Sequence, residues 1–434
     1  MLSKLETNKI LNLIKQEVVP AMGCTEPMAV ALATAKATEL LGEEPELVIA
    51  RLSGNIIKNA MGVGIPGSEG MVGLPAAIAL AVLAGKSEYN LEVLKDVRHE
   101  DVERAKTFIA ERRFQVIQAC DEFEILYVEI EARKAGKTAK VIIAKEHTNY
   151  VYLQSPEAVV LDQRDTLATS AEKNATSDLT LEKVFEFATE TPIKDLLFIL
   201  ESARMNREVS RLAFNGDYGM NLGKALLGGG FEQRMLGQNT MPKIVICTCA
   251  ACDVRMSGAP VAVMSNSGSG NQGIAATVPI HVFAEDIQAT ESKLARALIL
   301  SHLTVIYIKQ LLGRLSAHCG CVIAATGSAC GITYLMGGGY EQICSAVKNQ
   351  IAALTGMVCD GAKPSCSLKL SSAVSSAFQS ALISMDGICV SANDGIIEDD
   401  VDKCIRNLAD IGRDAMVEVD NIILKIMVNK ENEA

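Results

Sequence analysis

Thiol groups are concentrated in one stretch of this chain, between residues 315 and 366. That stretch holds six of the thirteen cysteines: Cys319, Cys321, Cys330, Cys344, Cys359 and Cys366. The first nineteen residues lack the basic start, apolar core and cleavage site of a signal peptide, so we expect a cytoplasmic protein with reduced thiols. In such a protein, metal binding or catalysis explains clustered cysteines better than disulfide formation does.

The length and composition favour two domains rich in helix. At 434 residues, the chain exceeds the size at which a single hydrophobic core usually keeps growing. Apolar residues make up 49% of the chain and aromatic residues only 4%, which favours helices packed through small side chains. The net charge of −11, without basic runs, argues against nucleic-acid binding. Its uncharged stretches are too short or too rich in glycine to predict a membrane span.

A β-rich block separates two helical regions. Residues 124–133 alternate between apolar and polar in the manner of a strand, and residues 46–52 also read as a strand. The turn at Gly136 and Lys137 predicts a hairpin. Helical patterns dominate after residue 180.

These patterns predict a mostly helical α+β protein. Residues 1–44 and 180–434 are assigned to a discontinuous helical catalytic domain. Residues 45–161 are assigned to an inserted α/β domain, and the polar segment 162–179 is assigned to a linker.

Another cysteine, Cys24, directly precedes a predicted helix. Thr25 is the expected N-cap, Pro27 lies in the first turn and Gly42 ends the helix. The positive end of the helix dipole favours a thiolate, so we predict a lowered pKa for Cys24. The alternative is a small buried thiol without a chemical role.

Two glycine-rich passages carry polar side chains suited to an anionic ligand. Backbone amides in such passages can approach a carboxylate or a phosphate closely. The candidate side chains of the first passage are Ser53, Asn55, Lys58 and Asn59. Those of the second passage, where a helix is expected to start near Gly273, are Ser265, Asn266, Ser267 and Asn271. The alternative for each passage is an ordinary connecting loop.

A compact cysteine group, Cys247, Cys249 and Cys252, follows a strand-like run, KIVI. It could bind zinc, but a closed zinc site needs four ligands, so buried thiols are the preferred interpretation. No pyridoxal phosphate site is expected, because the candidate lysines lack a recognisable context. They are Lys224, Lys363 and Lys369.

A looser group of cysteines is the better candidate for a metal cluster. Cys359 and Cys366 flank a loop that could wrap a cluster, and the turn containing Cys319 and Cys321 could supply a further ligand. The spacing alone leaves both a cluster and simple packing open.

Several longer motifs are distinctive together. They are MGCTEPMAVALA, SGNIIKNAMGVGIPG, HTN, SNSGSGNQG, AHCGCVIAATGSACGITYLMGGG and MVCDGAKPSCSLK. In combination they resemble the L-cysteine desulfidase/UPF0597 family, which is related to the alpha chain of iron–sulfur L-serine dehydratases. The resemblance extends from about residue 10 to residue 425.

The resemblance implies a [4Fe–4S] cluster held by three cysteines, with one iron left open. Its ligands map onto Cys359, Cys366 and Cys321, with Cys319 as the alternative to Cys321. A catalytic cysteine maps onto Cys24. The SNSGSGNQG loop is similar to a substrate-holding loop, and the HTN motif adds two candidate substrate-binding residues. These are His147 and Asn149.

We therefore expect a lyase that catalyses β-elimination on a small L-amino acid, with L-cysteine first and L-serine as the alternative. A non-catalytic amino-acid-binding or sensor protein is the alternative of another class. The expected partners are a small amino-acid substrate and a second copy in a possible homodimer, with no nucleic acid and no membrane.

Overall fold

The protein is mostly helical and has one large and one small β-sheet, which confirms the predicted α+β class. The computed structural model describes residues 2–119, 126–166, 177–228, 239–313 and 316–433. Most of the predicted linker, 162–179, lies outside the described residues. The division into an inserted and a discontinuous domain stays a prediction.

Eight strands are described. They are β1 (Pro20–Met22), β2 (Leu47–Leu52), β3 (Phe114–Gln118), β4 (Tyr127–Lys134), β5 (Lys137–Ala144), β6 (Tyr150–Gln154), β7 (Val159–Asp162) and β8 (Ala262–Met264). The large sheet has the order β3-β2-β4-β5-β6-β7, in which only β2 and β3 are parallel. β4 and β5 form the predicted hairpin, with Lys134 opposite Lys137.

The helices of the first part of the chain surround this sheet or lead to it. They are α1 (Lys4–Glu17), α2 (Thr25–Leu41), α3 (Gly54–Ala60), α4 (Gly73–Ala84) and α5 (His99–Ala110). Short 3₁₀ turns lie at Ser87–Glu92 and Arg164–Thr166.

The remaining described helices build the larger part of the molecule. They are α6 (Leu181–Glu190), α7 (Leu200–Ala213), α8 (Leu222–Leu227), α9 (Thr240–Met256), α10 (Gly270–Asp286), α11 (Glu291–Leu312), α12 (Gly320–Leu335), α13 (Tyr340–Leu354), α14 (Cys366–Met385), α15 (Val401–Asp410) and α16 (Val417–Glu433). Two 3₁₀ turns precede α7, at Ile193–Asp195 and Leu197–Ile199, and a π turn, Ile411–Ala415, joins α15 to α16.

Helix α2 connects the sheet with the helical part. Its alanines and threonines let neighbouring elements approach closely, and it packs against β4, β5 and α4. The sequence division grouped α2 with the helical region, but its apolar side chains lie in the core of the sheet. Cys24, which directly precedes α2, belongs instead to the core of the helical part. The start of α2 therefore lies where the two cores meet.

Helices α10, α11 and α12 pack against one another inside the larger core. α11 has 22 residues and is long and apolar enough to cross a membrane, but 83% of its apolar window is buried inside the protein. Packing within the fold thus accounts for its composition.

The C-terminal helix α16 returns to the sheet. Its Leu424 lies in the sheet core, and Asp420 forms an ion pair with Lys58 of α3. The N-terminal segment is held in a similar way, because β1 pairs antiparallel with β8. Both contacts bring segments distant in sequence to the junction of the two cores.

The run KIVI, predicted as strand-like, lies inside α9. Short apolar runs cannot be assigned to a strand or a helix by periodicity alone. Here Ile244 and the residues up to Met256 are all buried, so α9 is buried on every side and lacks a helical stripe.

Candidate active site

Four helices begin at the wall of one cavity of about 110 Å³. α2, α10 and α12 follow the N-cap residues Cys24, Ser269 and Cys319, and α14 starts at Cys366. All four of these residues line the cavity. Helix N-termini carry partial positive charge, so the cavity favours thiolates and other anions.

A β-bridge places two cysteine-bearing segments side by side. His318 pairs with Val358 in antiparallel orientation. The N–H of Cys319 donates to the carbonyl of Met357 at 3.0 Å, and the N–H of Cys359 bonds back across the bridge at 2.6 Å. Backbone hydrogen bonds therefore bring Cys319 and Cys359 to the same cavity, although forty positions separate them in the chain.

The loop from Cys359 to Cys366 returns to the cavity through a sharp turn. Gly361 has a φ of +91°, and a Cβ at this position would overlap the carbonyl of Lys58. Glycine is the residue that accepts both the left-handed backbone and this close approach. The turn lets both cysteines of the loop line one cavity.

Positive charge and hydrogen bonding act on the thiols of the CGC turn. Asp360 forms ion pairs with Lys363 and Lys369, and Lys369 lies near Cys319. A hydrogen bond with the Cys321 thiol, aided by the charge of Lys369, lowers the pKa of Cys319 to about 7 against the effect of burial. The same hydrogen bond, together with burial, raises the pKa of Cys321 well above its usual value.

Cys24 is buried at the N-cap of α2, with 2% of its surface exposed. Thr25, the predicted N-cap, is the first helical residue instead. Burial raises the pKa of the Cys24 thiol to about 12, and the neighbouring Arg255 acts in the opposite direction. The predicted lowering of this pKa is therefore wrong, because lost hydration outweighs the helix dipole and the guanidinium.

The three cysteines expected to hold a cluster, Cys321, Cys359 and Cys366, all line the cavity. Among the described residues, no three His, Cys, Asp or Glu side chains converge as one metal ion requires. Cys321 comes from the CGC turn, and Cys359 and Cys366 come from the two ends of one loop; thiolates are the protein ligands of iron–sulfur clusters. Burial raises the pKa of Cys359 to about 11, but coordination removes the proton of a thiol outright.

Unpartnered polar atoms in the cavity wall also indicate a ligand. Within the described part of the chain, Asn271 Oδ1, Gln272 Oε1 and Arg255 Nε are buried and have no hydrogen-bond partner. Buried polar groups are normally hydrogen-bonded. Both ring nitrogens of His318, which also lines the cavity, lack a partner among these residues too, and five such atoms around one cavity are expected where a polar ligand binds.

Two of the ten predicted substrate-binding residues, Asn59 and Asn271, line this cavity. The Nδ2 of Asn59 donates to Glu26 Oε1 at 3.0 Å, so Asn59 also orients a neighbouring carboxylate. The substrate-binding role of both asparagines stays a prediction.

The other predicted residues of the first glycine-rich passage lie outside the cavity lining. Ser53 Oγ accepts a hydrogen bond from the N–H of Tyr127 at 3.1 Å. Lys58 is 1% exposed and is paired with Asp420. Asn55 is half-buried on α3. Lys58 and Ser53 thus hold α3 in place.

Three predicted residues of the SNSGSGNQG loop form hydrogen bonds within the protein. Ser265 Oγ donates to the carbonyl of Val19 at 2.6 Å. The Nδ2 of Asn266 lies 3.0 Å from His302 Nδ1, and the Oδ1 of Asn266 accepts from Ser267 Oγ at 2.8 Å. These polar groups shape the loop itself.

The HTN motif forms the turn between β5 and β6. His147 is buried there, and the Nδ2 of Asn149 donates to the carbonyl of Ala144 at 3.0 Å. Neither residue is part of the cavity lining.

The compact group of Cys247, Cys249 and Cys252 is buried on α9. Successive helical residues point about 100° apart, so Cys249 and Cys252, three positions apart, share one face of α9 and Cys247 points away from them. Arg207 donates to Cys247 Sγ at 3.0 Å, and the Cys249 thiol donates to the carbonyl of Ser367 at 3.3 Å. This geometry supports buried thiols over a zinc site.

Sequence reasoning missed several residues of the cavity wall. They are Glu26, Arg255, Lys309 and His318. Glu26 lies in a recognised motif beside Cys24, so the motif offered a signal for it. Arg255 and Lys309 lie within buried helices, where nothing in the local sequence distinguishes them.

Comparison with known proteins identifies the relatives of this chain. Residues 88–425 match the family model described as serine dehydratase alpha chain. The chain is 54% identical to a UPF0597 protein of Bacteroides thetaiotaomicron, over 98% of each chain. It is 55% identical to one of Phocaeicola vulgatus, over 99% of this chain and 100% of the relative. A UPF0597 protein of Porphyromonas gingivalis is 50% identical, over 98% of each chain. The family model covers most of the chain and the relatives nearly all of it, and the chain therefore belongs to the serine dehydratase alpha chain family, among its UPF0597 members.

Proposed function

We propose that this protein is an iron–sulfur-dependent lyase that catalyses β-elimination from a small L-amino acid, with L-cysteine as the first candidate substrate. The observation that carries the proposal is one cavity lined by Cys24 together with Cys321, Cys359 and Cys366. Membership of a family described by a serine dehydratase chain supports a lyase.

The proposed ligands of a [4Fe–4S] cluster are Cys321, Cys359 and Cys366, with Cys319 as the alternative to Cys321. Three protein ligands leave one iron open, and such an iron supplies Lewis acidity toward the departing β-substituent. The helix N-termini at the cavity and the charge of Lys369 offset the negative charge of the thiolates.

Cys24 is the proposed base, and its sulfur would accept the proton of the α-carbon. Arg255 and the N-terminus of α2 lie beside this sulfur and oppose the effect of burial, which raises the pKa of the Cys24 thiol. Elimination from L-cysteine releases sulfide and leaves 2-aminoacrylate, which water converts to pyruvate and ammonia. Elimination from L-serine follows the same course with hydroxide as the leaving group.

L-Serine is the second candidate substrate, because the matching family is described as a serine dehydratase chain. Both amino acids share the α-carbon and its substituents, so the same base and the same binding groups serve both. The proposed location of the protein is the cytoplasm.

The decisive experiment is an anaerobic assay of purified protein with L-cysteine and with L-serine, recording pyruvate, sulfide, and iron per chain. We expect pyruvate from at least one amino acid and its loss in Cys24→Ala at unchanged iron content. Cys330→Ala is the matched control, because Cys330 is a buried thiol of α12 outside the cavity lining. Full turnover in Cys24→Ala would refute the role of Cys24. Iron without any turnover would favour a binding or sensor protein.

A homodimer is proposed as the assembly state. Light scattering coupled to size-exclusion chromatography measures the mass directly, against a chain mass of 46.3 kDa. A mass of a single chain at micromolar concentration would contradict the dimer.

A further inference from the structure

Arg255 is a buried cation at the cavity wall. Only 4% of its surface is exposed, and it lies in the last turn of α9. Its Nη2 donates to the carbonyl of Gly23 at 2.8 Å, while its Nε has no hydrogen-bond partner among the described residues. No carboxylate of the described residues lies within ion-pair distance of it. A buried charge without a counter-ion is costly, and the helix C-terminus and one carbonyl offset only part of that cost.

Glu26 is an anion at the same wall, in the first turn of α2. Its Oε1 accepts from Asn59 Nδ2 at 3.0 Å, and its Oε2 accepts from Thr25 Oγ1 at 3.1 Å. Both partners are neutral, and the described ion pairs do not include this carboxylate. Arg255 and Glu26 therefore both lie at the cavity, and neither has an ion-pair partner among the described residues.

We propose that Arg255 binds the α-carboxylate and Glu26 binds the α-ammonium group of an amino-acid substrate. This inference rests on the proposed function of the cavity, and it names the groups that select a zwitterion. A zwitterion supplies the opposite charge to both residues at once, whereas a simple carboxylic acid or amine satisfies only one of them.

The placement of Arg255 agrees with the chemistry at Cys24. Arg255 acts directly on the Cys24 thiol and is bonded to the carbonyl of the preceding Gly23. The carboxylate of an amino acid is attached to the α-carbon, so its capture by Arg255 holds the α-proton near Cys24. Gly270 leaves the space for this guanidinium, because a Cβ there would overlap Arg255 Nε.

Lys309 is a second cation in the cavity lining, and it offers a competing partner for the carboxylate. Lys309 forms further interactions within the protein, whereas Arg255 Nε has no hydrogen-bond partner in the described part of the chain. This difference favours Arg255 as the carboxylate-binding residue.

The test measures binding of three small molecules to the iron-loaded protein by titration calorimetry under anaerobic conditions. L-Alanine carries both charges and has no leaving group, so it binds without reacting. L-Alaninamide lacks the carboxylate, and propionate lacks the ammonium group. We expect the wild type to prefer L-alanine over either analogue by about tenfold or more.

Each of two variants should remove the preference for one charged group of the ligand. Arg255→Met should bind L-alanine and L-alaninamide equally, and Glu26→Gln should bind L-alanine and propionate equally. Arg255→Lys should keep part of the carboxylate preference. Gly270→Ala, which displaces the guanidinium without removing it, should weaken that preference as well. Iron per chain and the melting temperature confirm that each variant is folded and loaded.

Two results would overturn the inference. One is an intact carboxylate preference in Arg255→Met, which would leave Arg255 only a positioning role beside Cys24. The other is a carboxylate preference that disappears in Lys309→Gln and persists in the Arg255 variants. L-Alanine undergoes no elimination, so these binding ratios test the roles of Arg255 and Glu26 independently of the pyruvate assay.

Discussion

Two groups of cysteines in this protein contrast with each other. The group that is compact in the sequence does not converge on one site, whereas the group that is spread along the sequence does. The α9 cysteines, Cys247, Cys249 and Cys252, span six positions, yet Cys247 points away from the other two. The cavity cysteines are spread over 48 positions, and all of them line one cavity. They are Cys319, Cys321, Cys359 and Cys366.

The difference shows that convergence depends on helix ends and turns. Each cavity cysteine lies at a helix start or in the loop between Cys359 and Cys366, where the backbone can turn a thiol inward. A thiol in the middle of a helix has a direction set by its neighbours in the same helix. Spacing is therefore a poor guide to metal binding when the secondary structure is unknown.

The largest expected effect comes from removing a cavity cysteine. Cys366→Ser should lose nearly all iron and all β-elimination, because the remaining thiolates cannot hold the cluster. The matched control is Cys249→Ser, a buried thiol of α9, which should keep its iron. Iron and acid-labile sulfide per chain measure both outcomes. Equal iron loss in the two variants would contradict the distinction between the cavity cysteines and the α9 cysteines.

The two cysteines of the CGC turn provide the next test. We expect Cys321→Ser to lose the cluster and Cys319→Ser to retain most of it, as the proposed ligand set requires. The two variants are purified anaerobically, and the intensity of the sulfur-to-iron charge-transfer bands in their absorption spectra distinguishes them. The reverse result would assign the third ligand to Cys319, whose pKa is already lowered by its hydrogen bond with Cys321.

A similar contrast separates polar groups that face the cavity from those that hold the fold. Lys58, predicted to bind substrate, is instead paired with Asp420 inside the protein. Asp420→Asn leaves the Lys58 charge buried and should destabilise the protein by about 3 kcal/mol. Lys58→Met should cost less, because the Asp420 side chain is 15% exposed and can regain water. Chemical denaturation of both variants tests this order, and the reverse order would contradict it.

The smallest expected effect concerns His302, which binds the SNSGSGNQG loop. Its Nδ1 accepts from Asn266, its Nε2 lies 3.2 Å from Thr277 Oγ1, and burial lowers its pKa to about 3. The unfolded chain takes up a proton near pH 6.5, whereas the folded chain does not. Stability is therefore present above pH 6.5 and is lost as the pH falls, by about 2 kcal/mol between pH 7 and pH 5.

His302→Asn keeps an acceptor for Asn266 and removes the titrating ring. The loss of unfolding free energy between pH 7 and pH 5 should then shrink by about 2 kcal/mol relative to the wild type. An unchanged pH dependence in this variant would show that His302 is not the group responsible.

Local patterns were sufficient wherever the structure depends on neighbouring residues. The β4–β5 hairpin and the helix that follows Cys24 were predicted correctly, because turn residues and helix starts act over a few positions. The strand assignment of KIVI was wrong, because a helix buried on all sides has no periodic signal. The pKa of Cys24 was also wrong, since burial by distant elements outweighs a local dipole.

The sequence by itself determined the α+β class, the motifs of the family and the cysteines that reach the cavity. Only the tertiary structure decided which polar residues face that cavity and which hold the fold. It placed Arg255 beside Cys24 and gave Lys58 a partner in the last helix. The physical reason is that burial and charge pairing arise from contacts between segments hundreds of positions apart, which no local pattern records.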